Sequence, residues 1–262
     1  DGTLIQNTVA RLQGLIPPER CLVVTHDRYV EQTRKQLPAV PAENILAEPI
    51  SRNTAPCVTY AAATLADRDP DATMVVLPAD HVIGNVEQFH ETLEVALEAA
   101  QEPNALVTIG IEPTYPATGY GYIQYDGDTD DDEELEAHPV RTFAEKPDQS
   151  TAERFIDSGD FLWNSGMFIW RADTILDQVK THLPDAHKAF QPVLEAGDDT
   201  DPDTLTQAFQ DSPRISIDYG VMEQADSVYV VPGSFEWNDV GDWRAVYDLS
   251  DKNELGNVIK GN

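Results

Sequence analysis

Short apolar runs alternate, over the first 110 residues, with segments whose apolar residues recur at helical spacing. The apolar runs have the length of buried strands and lie at 21–25, 44–47, 73–77 and 105–110. The segments with helical spacing lie at 3–13, 28–37, 53–67 and 86–101. Strands that alternate with helices along a chain build largely parallel sheets that the helices cover. The alternation therefore predicts an α/β fold with a mixed, mostly parallel sheet flanked by helices.

The pattern changes after residue 110. Runs at 120–125 and 139–145 indicate paired strands, with the strongly acidic stretch 126–134 between them. This stretch is typical of a solvated loop; a calcium site is the alternative, but the spacing and terminal Glu of an EF-hand are missing. A further strand is predicted near 227–231. Helical spacing returns at 149–158, 172–182, 185–195, 202–210 and 241–249.

The composition is that of a folded chain with one large or two small domains. Its 262 residues are 41% hydrophobic, which is enough for a substantial core. No run of 18 apolar residues and no signal peptide is found, so we expect no membrane span. Cys21 and Cys57 are too few for a disulfide framework and lack zinc-ligand spacing, which predicts buried thiols in a reducing cytoplasm.

The charge balance is strongly acidic, with 17 basic and 47 acidic residues and a net charge of −30. A basic surface for nucleic acid is therefore not expected. A surface this acidic repels itself unless salt screens it, so we predict a halophilic protein that works at high salt.

Two aspartates follow apolar runs at places where open α/β sheets bind ligands. Asp80 follows the run 73–77, and Asp239 follows an aromatic stretch and precedes Gly241. A turn or a helix cap explains either aspartate alone; together they predict a Mg²⁺ site, because Mg²⁺ prefers one or two carboxylates plus substrate phosphates. His81, beside Asp80, is a candidate general base, but we favour a structural hydrogen-bond partner.

Other polar residues interrupt apolar stretches. Gly119 and Gly121 surround Tyr120 and allow a close approach of the backbone to a ligand, or form a simple turn. Glu145 can accept hydrogen bonds from two hydroxyls and Lys146 suits a phosphate, although a surface ion pair is the alternative.

Two further stretches offer polar groups near apolar runs. Asn164 and Ser165 lie in a strongly apolar run, where a ligand or an internal network must satisfy them. Glu48, Arg52 and Asn53 lie between a predicted strand and a predicted helix, a place for a base or a phosphate.

Seven motifs in order carry a resemblance to a known family. They are EPISRNTAPC, LPADH, TGYGYIQ, FAEKPD, LWNSGMF, SIDYGVME and WNDVGDW. Together they resemble the mannose-1-phosphate guanylyltransferases, which belong to the sugar-1-phosphate nucleotidyltransferases. RNTAPC and WNSGMF resemble the mannose and guanine branch rather than the glucose relatives. The resemblance runs along the whole chain and implies a Rossmann-like fold of the nucleotide-diphospho-sugar transferase type.

The resemblance implies transfer of GMP from GTP to mannose 1-phosphate, with GDP-mannose and pyrophosphate as products. It implies that Asp80 and Asp239 hold Mg²⁺ and that Lys146 neutralises the sugar phosphate, all three as catalytic residues. The mannose side would be held by Gly119, Tyr120, Glu145 and Asn164. The guanine side would be lined by Glu48, Pro49, Arg52 and Asn53. Asp218 is a more distant candidate that would support the site.

The motif VMEQA departs from the family pattern, because Gln224 stands where the family has Lys. The family also starts with a strand and a Gly-rich loop that wrap the triphosphate, and no Gly-x-Gly cluster occurs near residue 1. We therefore expect a nucleotidyltransferase domain at 1–255 without that loop, and a truncated C-terminal β segment that begins at 256–262. No fused isomerase domain is expected, and a homodimer is one expectation for assembly.

Two alternatives to this activity remain open. One is the same chemistry with another hexose 1-phosphate or another nucleoside triphosphate. The other is a non-catalytic subunit that binds the sugar nucleotide without turning it over.

Overall fold

The computed structural model describes residues 2–125, 135–241, 247, 252 and 258. The acidic stretch 126–134 and most of the predicted helix 241–249 and of the segment 256–262 lie outside the described residues. None of the described helices is long and apolar enough to cross a membrane.

The helices agree with the helical spacing of the sequence to within a few residues. Their bounds are α1 Leu4–Arg11, α2 Val30–Gln36, α3 Thr54–Arg68, α4 Val86–Ala99, α5 Gln149–Ser158, α6 Ala172–His182, α7 Pro184–Ala196 and α8 Pro202–Asp211. Side-chain caps start several of them: Thr3 forms a capping box on α1, and Asn85 and Asp148 cap α4 and α5.

The strands include every strand that the sequence predicted and three that it did not. Their bounds are β1 Val23–His26, β2 Ile45–Glu48, β3 Thr73–Val76, β4 Val82–Ile83, β5 Leu106–Ile111, β6 Gly121–Tyr125, β7 His138–Glu145, β8 Phe161–Arg171, β9 Val228–Gly233 and β10 Trp237–Asn238. The strands without a prediction are β4, β8 and β10.

The main sheet has six strands in the order β3-β8-β5-β9-β7-β6. Four of them, β3, β5, β6 and β9, run in one direction, which confirms the predicted mixed sheet between helices. Because β7 and β8 run the other way, β5–β9 is the one parallel pair of this sheet among the described strands, so the strands pair mostly antiparallel and not mostly parallel as the sequence predicted. β8 also pairs with β6, so the order β8-β5-β9-β7-β6 returns to β8.

Two short pairs lie beside the main sheet. β1 and β2 are parallel, with His26 opposite Glu48 at their ends. β4 and β10 are antiparallel, with Val82 opposite Asn238.

The core lies on both faces of the main sheet. Along β8, Met167 and Ile169 pack into a cluster that contains α4, while Phe168 and Trp170 pack into a cluster that contains α3 and α6. The alternation follows from the period of two of a strand. Helices therefore cover the sheet on both sides, and the loops at its edge are free to carry a site.

Candidate functional site

Two of the predicted residues, Glu145 and Asn164, pack against Gly121, the first residue of β6. Gly121 is opposite Glu145 in the β6–β7 register. A Cβ atom on Gly121 would overlap the Glu145 carboxylate and lie 3.5 Å from Asn164 Nδ2. The sequence attributed this glycine to a close approach of a ligand; the structure shows a close approach of two protein side chains. Glu145 and Asn164 therefore meet at Gly121.

Asn164 is buried in the middle of β8, and its amide is held on both sides. Its Oδ1 accepts hydrogen bonds from Gly166 N at 3.0 Å and Thr108 Oγ1 at 3.2 Å. Its Nδ2 donates to Asp218 Oδ1 at 2.9 Å. The internal network that the sequence offered as an alternative to a ligand is thus present, and it includes Ser165, whose hydroxyl donates to Ile109 O at 2.7 Å.

Glu145 and Lys146 form an ion pair at the end of β7. The distance from Lys146 Nζ to Glu145 Oε1 is 2.9 Å, and the two side chains are 56% and 8% exposed. Burial raises the pKa of Glu145; the hydrogen bond from Lys146 opposes this rise, and the carboxylates of Asp218 and Glu223 add to it. Lys146, which follows the last residue of β7, has a positive φ of 49°, an uncommon backbone conformation for a residue other than glycine. The carboxylate end of the pair is therefore buried, and the ammonium end reaches solvent.

Asp239 is oriented by hydrogen bonds from Tyr120 and the backbone. Tyr120 Oη donates to Asp239 Oδ1 at 2.8 Å, and Gly241 N donates to the same oxygen at 3.1 Å. The carbonyl of Tyr120 accepts from Lys146 N at 3.2 Å. Burial raises the pKa of Tyr120, and the bond to Asp239 raises it further, so the hydroxyl stays a donor at neutral pH. Tyr120 thus joins the Lys146 side of the site to Asp239.

Asp80 and Asp239 lie at the same end of the β4–β10 pair. Because Val82 is opposite Asn238, the next positions of this register place His81 beside Asp239. Asp80 is exposed and Asp239 is half-buried. The carboxylates of both raise the pKa of His81, but burial outweighs them and lowers it. The two predicted metal ligands therefore flank one histidine.

His81 has the structural role that the sequence favoured. Its Nδ1 accepts a hydrogen bond from Trp237 Nε1 at 3.0 Å, and its backbone oxygen accepts one from Arg11. The partner is thus Trp237 of β10 rather than the neighbouring Asp80. A neutral, buried imidazole with this bond helps to hold β10, which precedes Asp239.

The predicted guanine side lies at the end of β2 and the start of α3. Glu48 Oε1 accepts from Arg52 N at 3.2 Å, and burial raises the pKa of Glu48. Arg52 turns its guanidinium away from this turn, donating to Phe209 O at 3.0 Å and Gln210 O at 2.7 Å at the end of α8. Asn53 has a positive φ of 70° and caps α3 by accepting from Thr54 N.

Pro49 is half-buried in the bend that follows Glu48. The side chains of Arg52 and Asn53 are thus engaged with the protein, and the amide of Ala55 in the first turn of α3 donates to Ile215 O. The nucleotide roles of these four residues stay predictions.

Gly119 differs from Gly121 in its surroundings. A Cβ atom on Gly119 would meet nothing within 4 Å. The backbone at this position is open for a close approach, as the sequence predicted for both glycines.

The structure brings five of the predicted residues into two connected groups, leaves Asp80, Gly119 and the predicted guanine side outside them, and adds partners that sequence reasoning missed. Glu145 and Asn164 meet over Gly121; Lys146, Tyr120 and Asp239 are linked in series. The missed partners are Thr108, Glu223 and Trp237. Glu223 and Trp237 lie inside quoted motifs, which was the available signal, whereas Thr108 lies in an apolar run that gives none.

No group of three or more His, Cys, Asp or Glu side chains placed to hold a metal ion occurs in the part of the chain that the structure describes. A site in which two carboxylates share Mg²⁺ with substrate phosphates does not require such a group. The oxygen donors of Asp80 and Asp239 are of the kind that Mg²⁺ prefers.

The chain is an α/β protein with carboxylates and a lysine at the ends of its strands. Residues 1–255 match the nucleotidyl transferase family. The chain belongs to this family, which confirms the resemblance carried by the seven motifs.

Relatives of known name extend the comparison. The chain is 38% identical over 265 residues to the mannose-1-phosphate guanylyltransferase of Klebsiella pneumoniae, a match that covers 99% of this chain and 55% of that protein. It is 39% identical over 267 residues to the alginate biosynthesis protein AlgA of Pseudomonas aeruginosa, covering 100% of this chain and 54% of that protein. The chain thus spans about half the length of the curated relatives it matches.

Solved structures agree with the fold. The mannose-1-phosphate geranyltransferase of Thermus thermophilus, so named, superposes with a TM-score of 0.82 at 36% identity, over 94% of this chain and 68% of that chain. The mannose-6-phosphate isomerase of Helicobacter pylori superposes with a TM-score of 0.75 at 26% identity, over 91% of both chains.

Proposed function

We propose that this protein transfers GMP from GTP to mannose 1-phosphate and releases pyrophosphate and GDP-mannose. The observation that carries the proposal is the cluster at Gly121, where Glu145 and Asn164 meet next to the Lys146 ammonium. This is a set of hydroxyl and phosphate partners, and Tyr120 connects it to Asp239. The name of the Klebsiella pneumoniae relative supports the choice of sugar and nucleotide.

The proposed reaction needs no protein nucleophile. An oxygen of the sugar phosphate attacks the α-phosphorus of GTP in line, and pyrophosphate leaves. The residues contribute position and charge neutralisation, which are the main sources of catalysis in phosphoryl and nucleotidyl transfer. Lys146, whose side chain is 56% exposed, would exchange its contact with Glu145 for the sugar phosphate. The exchange would free Glu145 to accept hydrogen bonds from mannose hydroxyls.

Asp80 and Asp239 would hold Mg²⁺ in this proposal. The ion supplies charge neutralisation on the phosphates when it is bound. The residues fit the ion because both offer carboxylate oxygens at one end of the β4–β10 pair. Tyr120 and the amide of Gly241 keep the Asp239 carboxylate in one orientation.

The remaining substrate contacts are also proposals. The backbone at Gly119 would approach the mannose, and the motif Glu48, Pro49, Arg52 and Asn53 would line the guanine side. The guanidinium of Arg52 would act there by holding the turn against α8. We further propose a cytoplasmic protein that works at high salt, without nucleic-acid partners because of its net charge of −30. A homodimer stays a prediction.

Two other functions would use the same pocket. The same chemistry with another hexose 1-phosphate or nucleoside triphosphate would change the preferred pair of substrates. A non-catalytic subunit would bind mannose 1-phosphate without turnover; the presence of Asp80, Lys146 and Asp239 argues against it.

The Asp239→Asn variant separates a catalyst from a binding subunit. We expect turnover with GTP and mannose 1-phosphate to fall by about 100-fold or more, because a metal-binding carboxylate is lost. Binding of mannose 1-phosphate, measured by titration calorimetry on the gene product that carries this chain, should persist because Glu145 and Asn164 are untouched. Turnover close to that of the wild type would remove Asp239 from the metal site.

A further inference from the structure

One turn of the chain contacts both residues of the proposed sugar site, Asn164 through its side-chain amide and Glu145 through its backbone N–H. The π-helical turn Asp218–Met222 begins with the carboxylate that accepts from Asn164 Nδ2. The residue after it, Glu223, accepts a hydrogen bond through Oε1 from the backbone N of Glu145 at 3.0 Å. π-helical turns are rare and often lie at functional sites. Here the turn is anchored to Asn164 at one end and to Glu145 at the other.

The contact with Asp218 fixes the orientation of the Asn164 side-chain amide. An ionised carboxylate only accepts hydrogen bonds and a backbone N–H only donates them. The amide therefore keeps Nδ2 toward Asp218 and Oδ1 toward Gly166 N, because a flipped amide would oppose donor to donor and acceptor to acceptor. The hydrogen-bond partners determine this orientation, because the oxygen and the nitrogen of an amide have nearly the same shape.

This orientation gives the proposed sugar site one hydrogen-bond donor, on Asn164, and one acceptor, on Glu145. Asn164 Nδ2 lies next to Gly121, as the Glu145 carboxylate does. A donor beside an acceptor matches a hydroxyl that accepts from one and donates to the other. Sites that hydrogen-bond a substrate hydroxyl discriminate strongly, because an analogue without a hydroxyl there leaves buried polar groups unpaired.

The start of α3 holds the segment that leads into the turn. Thr54 Oγ1 accepts from the buried Ile217 N at 2.9 Å, and Ala55 N donates to Ile215 O at 3.1 Å. Thr54 follows Arg52 and Asn53, which are assigned to the guanine side, yet its hydroxyl acts on the residue before Asp218. A hydrogen bond to the first residue of α3, the helix next to the proposed guanine side, therefore helps to position Asp218.

We propose that Asp218 and Glu223 are positioning residues that set selectivity for the sugar 1-phosphate, and that Thr54 holds their turn in place. The inference rests on the proposed function and adds residues to it. Asp218 acts through Asn164 and Glu223 acts through Glu145. Neither needs to touch the substrate. A purely structural role would lower stability without changing the preference between two sugars.

The test compares kinetics with mannose 1-phosphate and glucose 1-phosphate at saturating GTP. We expect Asp218→Ala to raise KM for mannose 1-phosphate about tenfold and to lower the mannose-to-glucose ratio of kcat/KM, with KM for GTP unchanged. Asp218→Asn keeps an acceptor for Asn164 Nδ2 and should recover most of the ratio. Glu223→Ala should likewise raise KM for mannose 1-phosphate and lower the mannose-to-glucose ratio of kcat/KM, and Glu223→Gln should recover most of that ratio.

Thr54→Val is a second variant for the case that Asp218→Ala does not fold. It removes the acceptor for Ile217 N from an exposed side chain and should raise KM for mannose 1-phosphate, not for GTP. Thr181→Val is the matched control, because the hydroxyl of the exposed Thr181 donates within α6, to Asp177 O, and its loss should change neither constant.

The outcomes separate this inference from the proposed function. A wild type that turns over GTP and mannose 1-phosphate, with a sugar preference unchanged in folded Asp218→Ala and Thr54→Val, overturns the inference alone. A rise of KM for GTP in Thr54→Val also overturns it. A folded wild type without turnover on any sugar 1-phosphate overturns the proposed function and, with it, the inference.

Discussion

Gly119 and Gly121 are two positions apart and have opposite surroundings. A Cβ atom on Gly119 would meet open space, whereas one on Gly121 would overlap the Glu145 carboxylate. Neither glycine is among the residues with positive φ, so an alanine is compatible with the backbone at both positions. The two residues therefore separate the effect of a ligand from the effect of protein packing.

Replacing each glycine by alanine should give different results. Gly119→Ala should leave the thermal unfolding midpoint unchanged, because the added methyl would meet no protein atom, and should raise KM for mannose 1-phosphate, because it would stand where the sugar is proposed to bind. Gly121→Ala should lower the midpoint as well, because Glu145 must move. Thermal unfolding and steady-state kinetics of both variants measure this difference. Unchanged KM in Gly119→Ala would contradict the proposed backbone contact.

The buried carboxylate of Asp218 makes the stability of the folded protein depend on pH. Burial raises its pKa above the ordinary 3.8, so the folded protein holds this proton more tightly than the unfolded chain. The contribution to stability is complete below pH 3.8 and is lost as the pH rises through the folded pKa. Above the folded pKa the wild type has lost this contribution, whereas an asparagine has no charge to bury.

We therefore expect Asp218→Asn to raise the thermal unfolding midpoint at pH 7. The gain should shrink as the pH falls toward 3.8. Unfolding scans of the two proteins across this pH range measure the difference. Exposed Asp177, replaced by Asn, is the matched control and should show no such trend. A lower midpoint for Asp218→Asn at pH 7 would contradict this account.

At the scale of elements, helical spacing predicted α5 and α6 to the residue and the other helices to within a few residues. The spacing works because each helix buries one face. β8 escaped prediction because both its faces are buried, so its sequence has no alternation of apolar and polar residues. β4 and β10 span only two residues each, too few for a pattern. Pairing between residues far apart in sequence gave these strands their place.

Arg52, which is proposed to line the guanine side, also holds the end of α8. Its guanidinium donates hydrogen bonds to two carbonyl oxygens at the end of α8, where the helix dipole also stabilises a cation. We expect Arg52→Ala to lower the free energy of unfolding by about 1–2 kcal/mol. Arg34→Ala is the control, because exposed Arg34 pairs with exposed Glu31, and such pairs contribute little.

Chemical denaturation measures the stability of both arginine variants. An unchanged stability of Arg52→Ala combined with a higher KM for GTP would contradict the structural role. It would place the guanidinium on the nucleotide instead.

At the scale of the whole molecule, the sequence indicated the members of the site but not their arrangement. The motifs named Glu145, Asn164 and Asp239 because each interrupts or ends an apolar run. The bonds that Thr108 and Glu223 make depend on the β5–β8 pairing and on the turn near β7, which connect distant parts of the chain. Local patterns carry no signal for such contacts.

The net charge of −30 gives a prediction for the molecule as a whole. Repulsion among surface carboxylates opposes the compact state and is screened by salt. The free energy of unfolding should rise between low and molar KCl. Denaturation curves at several KCl concentrations measure it, and a stability that does not change with KCl would contradict the halophilic character.

The central claim is tested most directly by pyrophosphate release from the gene product that carries this chain. The assay contains Mg²⁺, molar KCl, one of the four nucleoside triphosphates, and either mannose 1-phosphate or glucose 1-phosphate. We expect release with GTP and mannose 1-phosphate at a rate well above every other pair. A folded protein that releases pyrophosphate from no pair, or that prefers another nucleotide or glucose 1-phosphate, would contradict it.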